Sequence, residues 1–204
     1  MRIGVLGAGR MAEALVPHWR RAGHDVLVGG RSVGKAAALA ERAGARGGSL
    51  REAADADLVV LAVLYPGIDA TLSQAGADEG TLAGKPLLDC TNPVETERFT
   101  LVRPVAGTVA ARTGAHVVKA LNLAHAEVWK RRARYHGRPL MVPIAGDDAG
   151  KEPVAALVRE LGAEPFDAGG IEQAHQLEAM AAVIIRLLFG GADPLTAFQL
   201  EVGA

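Results

Sequence analysis

The sequence predicts an α/β protein, doubly wound around a mainly parallel sheet, with a small helical part at its C-terminal end. Three observations carry this. A short apolar run, Ile3-Gly4-Val5-Leu6, leads through Gly7-Ala8-Gly9-Arg10-Met11-Ala12 into a helical pattern and then into a second apolar run, Val26-Leu27-Val28. Further apolar runs, such as Asp57 to Val63 and Pro86 to Cys90, alternate with Ala-rich helical stretches, as strands buried on both faces do. Hydrophobic residues make up 50% of the chain and aromatic ones only 4%, so the core must be Val, Leu, Ile and Ala, which suits a parallel sheet covered by helices.

Residues 2 to 32 read as strand, glycine turn, helix, strand, within the roughly thirty residues of a dinucleotide-binding βαβ unit, the Rossmann type. Gly7 allows the tight turn, and Gly9, without a Cβ, lets a pyrophosphate approach the backbone. Ala12 holds the third position of the fingerprint, where a small residue lets helix and strand pack closely. The N–H groups at the helix start then face the phosphates, helped by the helix dipole. A glycine turn with no ligand is the bland alternative.

The end of the second strand selects the cofactor. An NAD site places Asp or Glu there, about twenty residues after the glycines. This chain reads Val28-Gly29-Gly30-Arg31-Ser32, then Lys35, with no carboxylate. Arg31 can fork onto a 2′-phosphate, Ser32 can donate a hydrogen bond and Lys35 adds a point charge, so NADP(H) is expected over NAD. The alternative is a solvated Arg31 and a Ser32 that caps the next helix.

The next helix is expected over Val33–Ala43, with Gly44 as its C-cap. Residues 45 to 48 give at most a brief strand, and Ser49-Leu50-Arg51-Glu52 has the spacing of a capping box. Tyr65-Pro66-Gly67 breaks the strand over residues 57 to 63, a helix covers Ile68 to Gln74, and the strand over residues 86 to 90 ends at the turn Thr91-Asn92-Pro93. Thr108 to Thr113 reads as helix, Ala115 to Leu121 as strand with Asn122 at its end, Ala124 to Arg134 as helix and Pro139 to Ala145 as strand. Asp147 or Asp148 caps a helix that ends near Leu161-Gly162, with Pro153 in its first turns. A short strand spans Ala163 to Asp167, and Gly169-Gly170 turns into a last helix, Ile171 to Phe189. That helix is apolar almost all round, so burial within the monomer or against a partner chain is expected. Ligands of open α/β sheets bind at the carboxyl ends of strands, here Ala62-Val63 to Pro66 and Cys90 to Pro93. Taken alone, each is an ordinary turn.

The order of these motifs resembles the NADPH-dependent coenzyme F-420 reductases (F-420:NADP oxidoreductases) and the small dinucleotide-binding proteins around them. The matching stretches are Ile3 to Ala12, Gly30-Arg31-Ser32, Leu88 to Val94, Val117 to Leu123, Ala145 to Asp148, Phe166 to Gly170, and Glu178. The resemblance implies a Rossmann domain, residues 1–168, and a C-terminal helical segment, 169–204, that completes an acceptor cleft and contributes to a homodimer. It implies hydride transfer between NADPH and a 5-deazaflavin. It carries over Gly7, Ala8, Gly9, Arg10, Met11 and Ala12 as the pyrophosphate loop, and Arg31, Ser32 and Lys35 as the 2′-phosphate site. Ala62, Val63, Asn92, Pro93, Ala120 and Asn122 fall at the strand ends around the nicotinamide. Leu121, Gly169-Gly170 and Cys90 depart from residues common in that family, and these departures bear on the acceptor side. The same domain occurs in ferric reductases. It also occurs in pyrroline-carboxylate reductases, whose extra helical domain this chain is too short to hold.

Direct hydride transfer needs two ring carbons held close with water excluded, and no side-chain nucleophile or metal. No catalytic residue or metal ligand set is therefore assigned. His116, His125 and His175 are proton-handling candidates, with a structural or surface role the better reading of each. The lone Cys90 reads as a small buried hydrophobe and cannot form an internal disulfide. The formal net charge of −1 gives no global pull toward nucleic acid or membrane. No secretory signal is apparent, and the run Ala179 to Phe189, broken by Arg186, is too short to span a bilayer, so a cytoplasmic protein is expected. The cluster Lys130-Arg131-Arg132-Ala133-Arg134, with His136 and Arg138, reads first as a solvated helix end and second as a guide for an acidic cofactor tail. Two function classes stay open. One is an oxidoreductase that moves hydride from NADPH to a small-molecule acceptor, coenzyme F-420 or a flavin (FMN or FAD), with an NADPH-dependent ferric or flavin reductase as its alternative. The other is a non-catalytic NADPH-binding module that senses redox state or regulates a partner.

Overall fold

The computed structural model describes residues 1–95, 97–131, 134–135 and 137–196. Within them the chain builds β1 (Arg2–Leu6), α1 (Arg10–Arg21), β2 (Asp25–Gly29), α2 (Val33–Ala43), β3 (Arg46–Gly48), α3 (Leu50–Ala54), β4 (Leu58–Leu61), α4 (Ile68–Gln74) and β5 (Pro86–Asp89). A two-stranded ribbon follows, β6 (Val94–Glu95) with β7 (Thr100–Leu101), then α5 (Ala106–Thr113), β8 (His116–Lys119) and α6 (Ala126–Lys130). A second ribbon, β9 (Arg134–Tyr135) with β10 (Arg138–Pro139), precedes β11 (Met141–Gly146), α7 (Asp148–Glu160), β12 (Glu164–Asp167) and α8 (Ile171–Phe189).

Eight strands form one sheet in the order β12-β11-β8-β5-β4-β1-β2-β3. The six from β3 to β8 run parallel; β11 is antiparallel to β8, and β12 is parallel to β11. The sheet is doubly wound, and the strand alternation explains its apolar runs. Val60 in β4, Leu88 in β5 and Val118 in β8 enter the core layer with Leu15 and Trp19 of α1 and Leu157 of α7. Their neighbours Val59, Leu87 and Val117 enter the opposite layer, with Leu50 of α3, Leu72 of α4, Val109 of α5 and Ile184 of α8. Both faces are covered, so each strand reads as a continuous apolar run.

Local signals hold in several places. Ser49 and Glu52 make the reciprocal capping box of α3, and Gly44 closes α2 in the left-handed region at φ 66°. Asp147 is the N-cap of α7, accepting from the Ala149 N–H, and Pro153 lies inside that helix. Elsewhere the structure corrects the expectation. The helix expected over 124–134 stops at Lys130, where Arg131 turns extended and Arg134 enters a ribbon. It is held short because His125 caps it while Ala126, Val128 and Trp129 are already buried. The strand expected over 139–145 is split, with Pro139 in the ribbon and Met141 opening β11. The last helix is not buried all round. Ala174, Leu177, Glu178, Ala181, Ala182 and Ile184 face inward, whereas Val183 is 63% exposed and Met180, Leu187 and Phe189 also face outward. The inward stripe covers β8 and β11, Ile185 and Leu188 are partly buried beside it, and Phe189 meets the Phe99 ring, with centroids 5.2 Å apart.

Candidate functional site

The carboxyl ends of β1, β2, β4, β5 and β8 gather most of the residues expected to hold a dinucleotide. At β1, Gly7 takes φ +129°, and a Cβ there would lie 2.3 Å from the Ala62 carbonyl oxygen and 2.9 Å from Val63 Cγ1. Only glycine fits, so the β1 turn sits directly against the end of β4. The Gly7 N–H donates to the Gly29 carbonyl at 2.8 Å, which ties the turn to the end of β2. Gly9 is the N-cap of α1 and offers no side-chain cap, and a Cβ built on it meets nothing within 4 Å. The first N–H groups of α1 have no intrahelical acceptor and open onto that space, an arrangement suited to a phosphate. Ala12 is wholly buried, as the third position of the fingerprint requires.

The β2–α2 turn lies beside this loop, because a Cβ on Gly30 would lie 3.5 Å from Ala8 Cβ. Arg31, Lys35 and Arg10 are all exposed, and none makes a side-chain hydrogen bond or ion pair among the described residues. Most other described arginines are tied down. Arg2, Arg42, Arg46, Arg51, Arg112 and Arg159 each meet a carboxylate. Three cations without a side-chain partner among the described residues thus lie on the first turn of α1 and on the β2–α2 segment beside its loop. Ser32 is already engaged as the N-cap of α2, its Oγ accepting from the Lys35 N–H at 3.3 Å. Asp25, the carboxylate of β2, sits at the far end and pairs with Arg46.

At the nicotinamide side, Asn92 and Asn122 lock together. Asn92 Nδ2 donates to the Asn122 carbonyl at 2.9 Å, and Asn122 Nδ2 donates to Asn92 Oδ1 at 3.0 Å and to the Leu177 carbonyl of α8 at 3.1 Å. Asn122 Oδ1 is buried with no partner. Leu121 before it holds φ +62°, a backbone strained for a leucine. Pro93 is buried and its carbonyl accepts from the Val102 N–H, while Ala120 is wholly buried and its N–H donates to the Asp89 carbonyl. Leu64, just past Val63, is 85% exposed. A shallow cleft of about 160 Å³ opens beside it, lined by Tyr65, Ile68, Leu72, Arg103 and Val109 among others. In the C-terminal helix expected to complete the acceptor cleft, Ala181 and Ala182 are buried, and Ala181 packs in the core layer with Leu177 and Ile184.

Sequence reasoning missed the ionic cluster beneath these strand ends. Lys119, Asp89 and Glu178 are all fully buried. The Lys119 ammonium lies 2.7 Å from Asp89 Oδ2 and 2.9 Å from Glu178 Oε1, and it donates to the Thr91 carbonyl at 2.9 Å. Glu178 also accepts from the Val105 and Ala106 N–H groups at 3.0 Å each, so it caps α5 from α8. Asp89 Oδ1 accepts from the Thr91 N–H and hydroxyl. Burial alone would lower the Lys119 pKa, but the charges and hydrogen bonds of Asp89 and Glu178 outweigh it and hold the ammonium above the ordinary lysine value. Removing one partner of such a cluster costs on the order of 3–5 kcal/mol. The available signal was a lysine inside the apolar run Val117-Val118-Lys119-Ala120-Leu121 and a glutamate on the inward stripe of α8.

The remaining candidates sit in structural positions. His125 caps α6, accepting from the Glu127 N–H; His116 pairs with Asp147 at 3.2 Å; His175 lies against Gly107 of α5. Burial, then the Asp89 charge, pushes the Cys90 thiol well above its usual value, so it stays protonated. In the basic cluster, Lys130 pairs with Glu127 and Glu13, and Arg134 donates to the Gly137 carbonyl. Arg132, Ala133 and His136 lie outside the described residues.

Residues 2–93 match the family model described as NADP oxidoreductase, coenzyme F420-dependent. The chain is 31% identical over 181 residues to the metalloreductase STEAP3 of Rattus norvegicus, which covers 88% of this chain. It spans only 36% of the length of that curated relative. A crystal structure from Arthrobacter sp. FB24, provisionally assigned as an F420-dependent NADP-reductase, superposes with a TM-score of 0.85 at 26% identity, covering 100% of both chains. An imine reductase from Myxococcus stipitatus in complex with NADP+ shares the fold, with a TM-score of 0.69 at 23% identity over 93% of this chain and 63% of that one. Residues 2–93, from β1 to the Asn92-Pro93 turn, thus match the model of an NADP oxidoreductase domain.

Proposed function

We propose that this protein is an oxidoreductase that moves hydride between NADPH and a ring acceptor of the deazaflavin (coenzyme F-420) or flavin type. One observation carries the reading: Arg10 on the first turn of α1, and Arg31 and Lys35 on the β2–α2 segment beside its loop, have no side-chain partner among the described residues. Unpaired cations beside free N–H groups are what a dinucleotide with a 2′-phosphate requires. When bound, the dinucleotide supplies the hydride. The protein supplies binding, orientation and exclusion of water.

In that assignment the first N–H groups of α1 hold the pyrophosphate, and Arg31 with Lys35 holds the 2′-phosphate. The Ala62–Val63 backbone and the locked Asn92–Asn122 pair orient the nicotinamide end. The exposed Leu64 and the adjoining Tyr65–Arg103 cleft offer the acceptor an apolar surface with one cation. The match of residues 2–93 to the F420-dependent family and the full-length similarity to the Arthrobacter structure support this acceptor class.

A second reading is favoured by the 31% identity to a metalloreductase, in which the reducing equivalents pass on toward ferric iron. A third is a nucleotide-binding module without turnover. The test is NADPH oxidation with F-420, FMN, FAD and a ferric chelate, each also assayed with NADH. The expected result is turnover with F-420 or a flavin and preference for NADPH. Turnover with ferric iron alone moves the assignment to the second reading. Tight NADPH binding without any turnover leaves only the third.

A further inference from the structure

We infer that Lys119 and Glu178 are positioning residues which, through Thr91 and the Asn92–Asn122 pair, hold the strand ends that receive the nicotinamide end of the dinucleotide. The inference rests on the proposed NADPH site and deepens it.

Leu121 sits at φ +62° with its side chain buried, and Asn122 Oδ1 is buried with no hydrogen-bond donor among the described residues. Both features cost free energy, and such features persist where the surroundings over-determine them. The surroundings here can be named. Asn122 cannot flip its amide, because two of its neighbours, the Leu177 carbonyl and Asn92 Oδ1, need a donor. Asn92 cannot flip either, since its Nδ2 donates to the Asn122 carbonyl. Just before Leu121, Lys119 spends its three N–H bonds on Asp89, Glu178 and the Thr91 carbonyl. Thr91 precedes Asn92, so one ammonium fixes the ends of β5 and β8 together.

Helix α8 closes the arrangement with two consecutive residues. The Leu177 carbonyl holds Asn122, and the Glu178 carboxylate holds Lys119 and the first N–H groups of α5. Lys119 is wholly enclosed and all its protons are committed, so it has no route to a ligand. Its role is geometric. The adenosine half of the site, at Arg31 and the start of α1, belongs to β1, β2, α1 and α2 and shares no side-chain hydrogen bond or ion pair with this network among the described residues.

That separation gives the test. Adenosine 2′,5′-bisphosphate carries the 2′-phosphate and no nicotinamide, so it reads the adenosine half alone. Glu178→Gln keeps the shape of the side chain and removes its charge. The folded variant, checked by thermal melting, is expected to bind the bisphosphate within about twofold of the wild type and NADPH about tenfold more weakly, with the fluorescence of bound NADPH shifted toward that of the free cofactor. Equal weakening of both ligands, or unchanged NADPH binding and fluorescence, overturns the inference. Hydrogen exchange on the wild type decides independently if the variant does not fold. NADPH is expected to slow exchange of the Val105 and Ala106 amides, which donate to Glu178, and the bisphosphate is expected to leave them unchanged. Equal effects of the two ligands there overturn it. A wild type that binds neither ligand removes the proposed function itself, an outcome distinct from either of these.

Discussion

In the proposed NADPH site, Arg31 is the residue on which cofactor choice turns. It is exposed, free of partners among the described residues, and one residue from Gly30, whose backbone lies against the Ala8 turn. Arg31→Ala removes a charge-assisted hydrogen bond to a 2′-phosphate and nothing in the fold. It is expected to weaken NADPH binding by about 1.5–3 kcal/mol and to leave NADH nearly unchanged. Calorimetric titration with both cofactors checks this, and equal wild-type affinity for the two refutes the assignment. Candidates of this kind can be named from the sequence because glycine spacing and an absent carboxylate are local signals. Lys119 was not. Nothing in its neighbours says that Asp89 and Glu178 converge on it, since those partners come from β5 and α8 and meet only in the folded sheet. Ser32 shows the opposite case, where the plain reading as a helix cap is the one the structure contains.

At the scale of elements, legibility followed length. The bounds of α2, α4 and α8 were readable because several turns of periodic apolar residues, or a capping signal, mark them. The ribbons β6–β7 and β9–β10 have two residues per strand, too few for any period to show. In α8 the period was readable but the burial was not, because a helix apolar on both sides does not reveal which side meets its own sheet. The outward stripe of Ala179, Met180, Val183 and Leu187 recurs at helical spacing and motivates the proposal of a homodimer through this face. Val183→Glu places a charge on a side chain that is 63% exposed, so it is expected to leave the monomer folded and to dissociate the dimer in sedimentation at micromolar concentration. Ile184→Glu, only one residue away, would bury a charge and unfold the protein, which makes the pair a control for each other. A wild type that sediments as a monomer at that concentration counts against the dimer.

For the whole molecule, the doubly wound, mainly parallel sheet was legible and its reversed edge at β11 was not. The reversal at β11 leaves no mark in composition, because its inward residues Val142 and Ile144 would read the same in either direction. What binds the architecture between elements, beyond the apolar layers, is a set of ion pairs whose titration fixes the pH range of stability. Asp57 is held below its ordinary value of 3.8 by the Arg2 N–H and guanidinium, and Asp78 by Arg112. Asp147 is lowered by the Ala149 N–H and then His116, and Asp167 by Lys151 and then the Gly169 N–H. A carboxyl whose folded pKa is depressed contributes stability above its unfolded pKa and loses it as the pH falls through the folded one. Lys119 works the other way. Burial alone would lower its pKa, but Asp89 and Glu178 raise it above 10.5, so its contribution is present below that value and is lost as the pH climbs past the folded pKa. The four aspartate pairs are largely exposed, so each contributes little and the acid edge is shallow. The alkaline edge involves one enclosed cluster, whose loss leaves buried carboxylates unpaired. The melting midpoint is therefore expected to be flat between about pH 5 and about pH 9, to fall gradually below about pH 4 and to fall again above about pH 10.5. Circular-dichroism melts across that range check it. In Glu178→Gln, with one partner of the ammonium gone, the alkaline edge should move to lower pH while the acid edge stays in place. An unmoved alkaline edge would mean that Lys119 does not govern it.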